Sequence, residues 1–181
     1  MKKVFLLITL LCIGILGLFA KDYKNSAGVI VGSFNGLSYK TFVSDNFAIQ
    51  ADLGFGFIST RGTIKFDGFK YSGKEDAWTF QVNPNIYYQK NFFNVESVNI
   101  AGFIGIGTSL GYAEEYGYSL AIGKWGLNAI TGIEFILNKL PITVGLDFRP
   151  GYGLMFCKEN DIAINMNIFD WALAASVRYC F

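Results

Sequence analysis

The sequence contains no histidine. That absence removes the commonest zinc ligand and the commonest general base at neutral pH. Charge of one sign is also lacking: 15 basic residues face 14 acidic ones, a formal net charge of +1. Such a balance offers no basic patch for nucleic acid. Only three prolines and three cysteines occur in 181 residues, too few cysteines for a disulfide scaffold. After residue 20 no apolar run is long enough for a membrane helix.

What is present is equally uneven. Hydrophobic residues make up 52% and charged residues 16%, a balance that excludes a disordered chain. Aromatics reach 17%, and there are 21 glycines. The length suits one domain. A chain that is apolar on average but never continuously apolar fits either a soluble β protein or a membrane barrel, and the faces of its strands must decide.

Residues 1–20 read as an export signal, with Lys2 and Lys3 ahead of an apolar stretch that closes at Ala20. The expected mature domain is therefore 21–181. An uncleaved anchor is the alternative. Lipidation at Cys12 is disfavoured by the bulky Leu11 before it. Cys157 and Cys180 would remain in the mature chain.

Successive side chains of a strand point to opposite faces. From Phe47 one face reads Phe47, Ile49, Ala51, Leu53, Phe55 and Phe57, and the other Ala48, Gln50, Asp52, Gly54 and Gly56. From Trp78 the alternation sets Trp78, Phe80, Val82, Pro84, Ile86 and Tyr88 against Thr79, Gln81, Asn83, Asn85, Tyr87 and Gln89. From Ile142 it sets Ile142, Val144, Leu146, Phe148, Pro150 and Tyr152 against Thr143, Gly145, Asp147, Arg149 and Gly151. The period is two, not 3.6, and the runs exceed the roughly 9–11 residues that cross a bilayer at a tilt.

Eight strands are expected, over 27–33, 36–43, 47–60, 77–90, 97–112, 118–137, 142–156 and 170–181. The fold class is all-β, an eight-stranded antiparallel up-and-down transmembrane barrel. Its polar, small-residue faces line a narrow lumen, its apolar faces meet lipid, and Trp78, Tyr88, Tyr152, Phe156 and Trp171 stand near strand ends as interfacial aromatics do. The connections 44–46, 91–96 and 138–141 read as short inner turns, and 61–76 and 157–169 as longer outer loops. A phase change near Gly123 and Lys124 suggests a bulge. Residues 33–36 are either a turn or a kink in one longer strand. Alternation by itself leaves a soluble lipocalin-like barrel, periplasmic or secreted and holding a small apolar ligand, as the alternative.

The last strand ends with outward Trp171, Leu173, Ala175, Val177, Tyr179 and Phe181. Alternate hydrophobics closing on a terminal Phe resemble the insertion signal of outer-membrane barrels, which implies handling by the barrel assembly machinery. The run Gly36-Leu-Ser-Tyr-Lys-Thr-Phe42, the Ser-Asp-Asn turn after it and the closing Asp170–Phe181 strand resemble the small outer-membrane β-barrel proteins of Bacteroidetes, broadly OmpA/OmpX-like. That resemblance implies a cell-envelope barrel in the outer membrane. Ile30 departs from it, standing where the family pattern has an inward Arg.

Seven charges fall on the inward faces: Lys40, Asp52, Lys124, Glu134, Asp147, Arg149 and Arg178. Buried charge is costly unless paired, so a structural network filling the lumen is expected, with a gate or ion path as the functional alternative. An eight-stranded barrel is only wide enough for side chains, so no open pore is expected. No catalytic residues, metal or cofactor are expected, and the glycines at 102, 105 and 107 read as strand glycines rather than a phosphate loop. The expected partners are outer-membrane lipid, the assembly machinery and a surface ligand reached through 61–76 and 157–169, which otherwise only extend the strands. Cys157 and Cys180 belong at opposite rims, too far apart to bond.

Overall fold

The computed structural model describes residues 23–66, 69–114, 120–159 and 162–181, with side chains described outside 57–66, 69–78, 113–114, 120–122, 157–159, 162–166, 168 and 170. The expected export signal and the side chains of Trp78, Cys157 and the two outer segments lie outside the described residues.

Eight strands follow one another: β1 (Asn25–Gly32), β2 (Phe34–Phe42), β3 (Phe47–Phe66), β4 (Phe69–Val95), β5 (Val98–Glu114), β6 (Leu120–Leu137), β7 (Ile142–Glu159) and β8 (Ile162–Cys180). Each pairs antiparallel with the next, and β8 pairs antiparallel with β1, closing the barrel. Closure is set at Ser26↔Cys180 and runs to Gly32↔Ala174. It leaves the sheet with no free edge over that span.

The two faces are sharply divided. Leu37, Leu53, Phe55, Ile86, Ile104, Ile106, Leu127, Leu146 and Leu173 are exposed, Ile106 by 67%. Lys40, Gln50, Asp52, Thr79, Asn85, Glu134, Arg149 and Arg178 are buried inside. A continuous apolar outer belt around a polar lumen is the distribution of a transmembrane barrel, the inverse of a soluble one. Among the described residues the lumen offers no apolar chamber of the lipocalin kind.

The prolines act where expected. Pro84 faces outward, and the β4–β5 ladder skips Asn83 and Pro84. Pro150 also faces outward, and the β6–β7 ladder skips Pro150 and Arg149. A proline has no N–H to give to the neighbouring strand.

Several local expectations are corrected, but the separation of the first two strands is not among them: β1 and β2 pair from Asn25↔Thr41 to Ile30↔Gly36, and 33–36 is a turn rather than a kink. Gly32 turns the chain there with φ +141°, a conformation that favours glycine, and Asn35 clips the turn by exchanging hydrogen bonds with the Gly32 backbone, both at 3.2 Å. No bulge occurs at Gly123 and Lys124, since β6 holds one register with β5 from Glu114↔Ala121 to Val98↔Leu137. The irregularity sits in β4 between Asn91 and Phe93, where Phe92 is the extra residue and lies over Gly102. Residues 91–95 thus continue β4 instead of forming a turn. The segments 61–76 and 157–169 are mainly strand: β3 and β4 stay paired up to Phe66↔Phe69, and β7 and β8 up to Glu159↔Ile162.

This last feature leaves the wall uneven. The β1–β2 hairpin ends at Gly32 and Phe34, while its flanking strands continue outward. Its last link to β8 is the Ser33–Leu173 contact, in which the Ser33 N–H donates to the Leu173 carbonyl at 2.9 Å and the Leu173 N–H donates to Ser33 Oγ at 3.2 Å. Beyond it, among the described residues, 162–172 of β8 pair only with β7, and 57–66 of β3 only with β4. The wall is notched at that point, about 7 Å below Trp171 at the usual rise of a strand.

Candidate functional site

Six of the seven inward charges meet in the middle of the lumen. They come from β2, β3, β6, β7 and β8, each placed by the period-two alternation of its strand. In the lower layer Glu134 is fully buried. Its carboxylate accepts from Lys40 Nζ, from Arg178 Nη1 at 2.9 Å and from Gln89 Nε2 at 2.8 Å. Lys40 Nζ donates also to Gln89 Oε1 at 2.7 Å and lies 4.6 Å from the Phe42 ring centre. In the upper layer Arg149 holds two carboxylates. Its Nε and Nη2 grip Asp147 at 2.7 and 3.0 Å, and its Nη1 donates to Asp52 at 2.7 Å.

Gln50 joins the layers. Its Nε2 donates to both oxygens of Asp52 at 2.9 and 3.0 Å, and its Oε1 accepts from Arg178 Nη2 at 2.9 Å. Tyr87 adds a third contact, donating to the same Oε1 at 3.1 Å. The Arg178 Nε–H donates to Ser38 Oγ at 3.0 Å. Three cations and three carboxylates make the cluster neutral, and its members use most of their hydrogen-bonding capacity on one another, as buried charges must.

Tyr23 completes the cluster from below. It precedes β1, yet its hydroxyl donates to Glu134 Oε2 at 3.1 Å and its ring packs edge-on against Phe42 at 5.7 Å. Burial, reinforced by the Glu134 charge, holds its phenol well above the ordinary value, so it stays a neutral donor. Beside these charges Tyr87, Phe103, Ile130 and Ala48 form an apolar cluster against which Phe42 packs.

The cluster separates two cavities. The inner one, about 760 Å³, is bounded by Tyr23, Gln89, Asn91, Asn99, Asn138 and Cys180. The outer one, about 330 Å³, is bounded by Gln81, Asn83, Lys124, Asn128, Arg149 and the notch residues Ser33 and Phe34. Lys124, the seventh expected charge, borders the outer cavity together with Arg149. Ile30, where the family pattern has an inward Arg, packs with Phe34 and Ala174. The expected insertion-signal residues Trp171, Leu173, Val177 and Phe181 are all exposed on the outer surface, and Tyr179 stacks on Phe181.

Gln50, Gln89, Ser38, Tyr87 and Tyr23 join the cluster without being singled out by the sequence. The first four lie on the same inward faces as the charges, so the alternation carried them. Tyr23 stands before the first strand, and no pattern marks it. Among the described residues no group of three or more His, Cys, Asp or Glu is arranged to hold a metal.

No family model and no curated protein matches the chain. Solved structures do. A major outer membrane protein from Thermus thermophilus is 11% identical, with a TM-score of 0.53 over 89% of this chain and 100% of that one. The outer membrane protein AlkL, determined in DMPC bilayers, is 15% identical, with a TM-score of 0.50 over 91% of this chain and 92% of that one. At these identities the likeness establishes the fold: the chain is built as small outer-membrane barrels are.

Proposed function

We propose that the protein is a small integral outer-membrane barrel with a structural or surface-facing role and no open pore. The observation that supports this most directly is the neutral, mutually bonded cluster of Lys40, Asp52, Glu134, Asp147, Arg149 and Arg178 across the lumen. In an eight-stranded barrel such side chains fill the interior. The cluster braces five strands and blocks the path between the two cavities. No catalytic role attaches to it, because every carboxylate is already engaged with a cation and no histidine is available as acid or base.

The outward aromatics and the apolar β8 face support insertion into outer-membrane lipid by the assembly machinery. The Gly36–Phe42 run and the closing strand support kinship with the OmpA/OmpX-like barrels of Bacteroidetes. Surface recognition would fall to the long hairpins of β3–β4 and β7–β8.

Planar-bilayer recording tests the closed lumen. The purified protein should give no steady unitary conductance, whereas Glu134→Gln combined with Arg149→Met should give transient openings. Steady conductance by the unaltered protein overturns the reading.

A further inference from the structure

Resting on the reading of the chain as an outer-membrane barrel, we propose that the outer cavity, reached through the notch over the β1–β2 hairpin, binds one ring of a neutral saccharide. Two unlike walls carry the inference. On the notch side the cavity is lined by Phe34 of β2 and Ala174 of β8, which pack with Ile30 into a buried apolar cluster. On β4, β5 and β6 it is lined by Gln81, Asn83, Ser109 and Asn128. The strand order sets β1 and β5 half a barrel apart, so the apolar wall and the amide wall face each other. A pyranose ring is divided in the same way, with a face of C–H groups and a rim of hydroxyls. The C–H face suits an aromatic ring, and the hydroxyls both donate to and accept from amides.

Asn83 is the group that most needs a ligand. It is 5% exposed, and its Oδ1 has no hydrogen-bond partner. A buried acceptor left in that state is costly, and a sugar hydroxyl in the cavity satisfies it. Its neighbours are already held. Asn128 Nδ2 donates to Asn85 Oδ1 at 3.2 Å, and Gln81 Nε2 donates to Thr79 Oγ1 at 2.5 Å. Asn83 and Pro84 are left out of the β4–β5 ladder, and the Asn83 carbonyl accepts instead from Asn85 Nδ2 at 2.9 Å. The amide wall is thus fixed in advance by bonds among its own members, with one buried acceptor to spare. At about 330 Å³ the cavity falls at the small end of ligand pockets, which suits a ring rather than an extended chain. The cations at its margin, Lys124 and Arg149, already have partners. Recognition therefore falls to neutral groups. A ring with a single hydroxyl would answer only one of them, and a sugar answers several.

The test is saturation-transfer NMR on the barrel refolded in phosphatidylcholine vesicles, with methyl β-glucopyranoside as the probe. Folding is checked in the same samples by the gel shift between boiled and unboiled protein. Saturable transfer to the ring protons of the sugar is expected. Its affinity should fall about fivefold or more in Asn83→Leu, which removes the unpaired acceptor. Phe34→Leu, which keeps apolar bulk but loses the flat ring, should weaken it as well. Cyclohexanol, a ring with one hydroxyl, should not displace the sugar. Vesicles that also contain a monoglucosyl diacylglycerol separate the sources of the ring. Loss of the methyl glucoside signal in them assigns the site to a membrane-anchored sugar, an unchanged signal assigns it to a soluble one, and both uphold the saccharide. Folded barrel that shows no saturable transfer, that binds the probe equally in either variant, or that gives it up to cyclohexanol overturns the inference and leaves the membrane reading standing. A chain that does not fold in the vesicles overturns the membrane reading itself.

Discussion

Arg178 on β8 and Glu134 on β6, two strands apart across β7, meet with Nη1 2.9 Å from Oε1, both side chains almost wholly out of solvent. Glu134 is also the only carboxylate reached by Lys40 and Arg178 among the described ion pairs. Its neutralisation strands two cations at once.

Glu134→Gln should therefore be the most damaging single change in the lower layer. Removing one partner of a buried pair costs about 3–5 kcal/mol. Urea unfolding of the refolded barrel in vesicles, followed by tryptophan fluorescence, should show a loss of that order. Adding Lys40→Met to it should recover part of the loss, because one of the stranded charges goes. A double variant weaker by the full sum of both single losses would contradict the coupling.

In the upper layer the asymmetry is reversed. Arg149 serves Asp52 and Asp147 together. Arg149→Met leaves two facing carboxylates without a counter-ion, whereas Asp52→Asn leaves Arg149 paired with Asp147. The expected order of destabilisation is Arg149→Met well ahead of Asp52→Asn, read from the same unfolding midpoints.

Gly36 and Gly54 lie opposite each other between β2 and β3. A Cβ on Gly54 would stand 2.2 Å from the Asn35 carbonyl oxygen and 2.6 Å from the Gly36 Cα, both backbone atoms that cannot turn aside. Gly54→Val should sharply lower the yield of heat-shifted, folded barrel. A yield equal to that of the unaltered protein would show that the two strands are not this close.

Much of this architecture was legible in the residues because a barrel strand separates its two faces at every step. The alternation from Phe47, Trp78 and Ile142 assigned Asp52, Asp147 and Arg149 to the lumen, and the structure has them inside. What escaped was where chemistry is ambiguous or remote. Gln50 and Gln89 read as ordinary polar inward residues, and only the geometry shows Gln50 linking two charged layers. The change of apolar phase at Gly123 and Lys124 suggests a bulge, yet the ladder keeps its register there. The bulge lies at Phe92, where two adjacent phenylalanines break the alternation. The outer hairpins read as loops because their polar residues obscure the pairing that continues to Phe66↔Phe69.

Cys180 borders the inner cavity with 3% of its surface exposed, close to Tyr23. In a Cys157→Ser background, labelling of Cys180 by a water-soluble maleimide should be slow in the folded barrel and markedly faster in Tyr23→Ala. Tyr23→Phe, which keeps the ring, should stay slow. Equal rates in all three would remove Tyr23 from its place as the lower stopper. In the unaltered protein, mass spectrometry without reductant should show no Cys157–Cys180 link, since Cys157 pairs in the ladder with Ile164, sixteen residues along β8 from Cys180.

The central claim is that the apolar face meets lipid and the charged face fills a closed lumen. Fractionation of expressing cells, with boiled and unboiled samples run side by side on a detergent gel, tests it most directly. The account predicts protein in the outer-membrane fraction whose unboiled form resists detergent and migrates apart from the boiled form. Protein recovered in the soluble periplasmic fraction, with the same mobility before and after boiling, would contradict it.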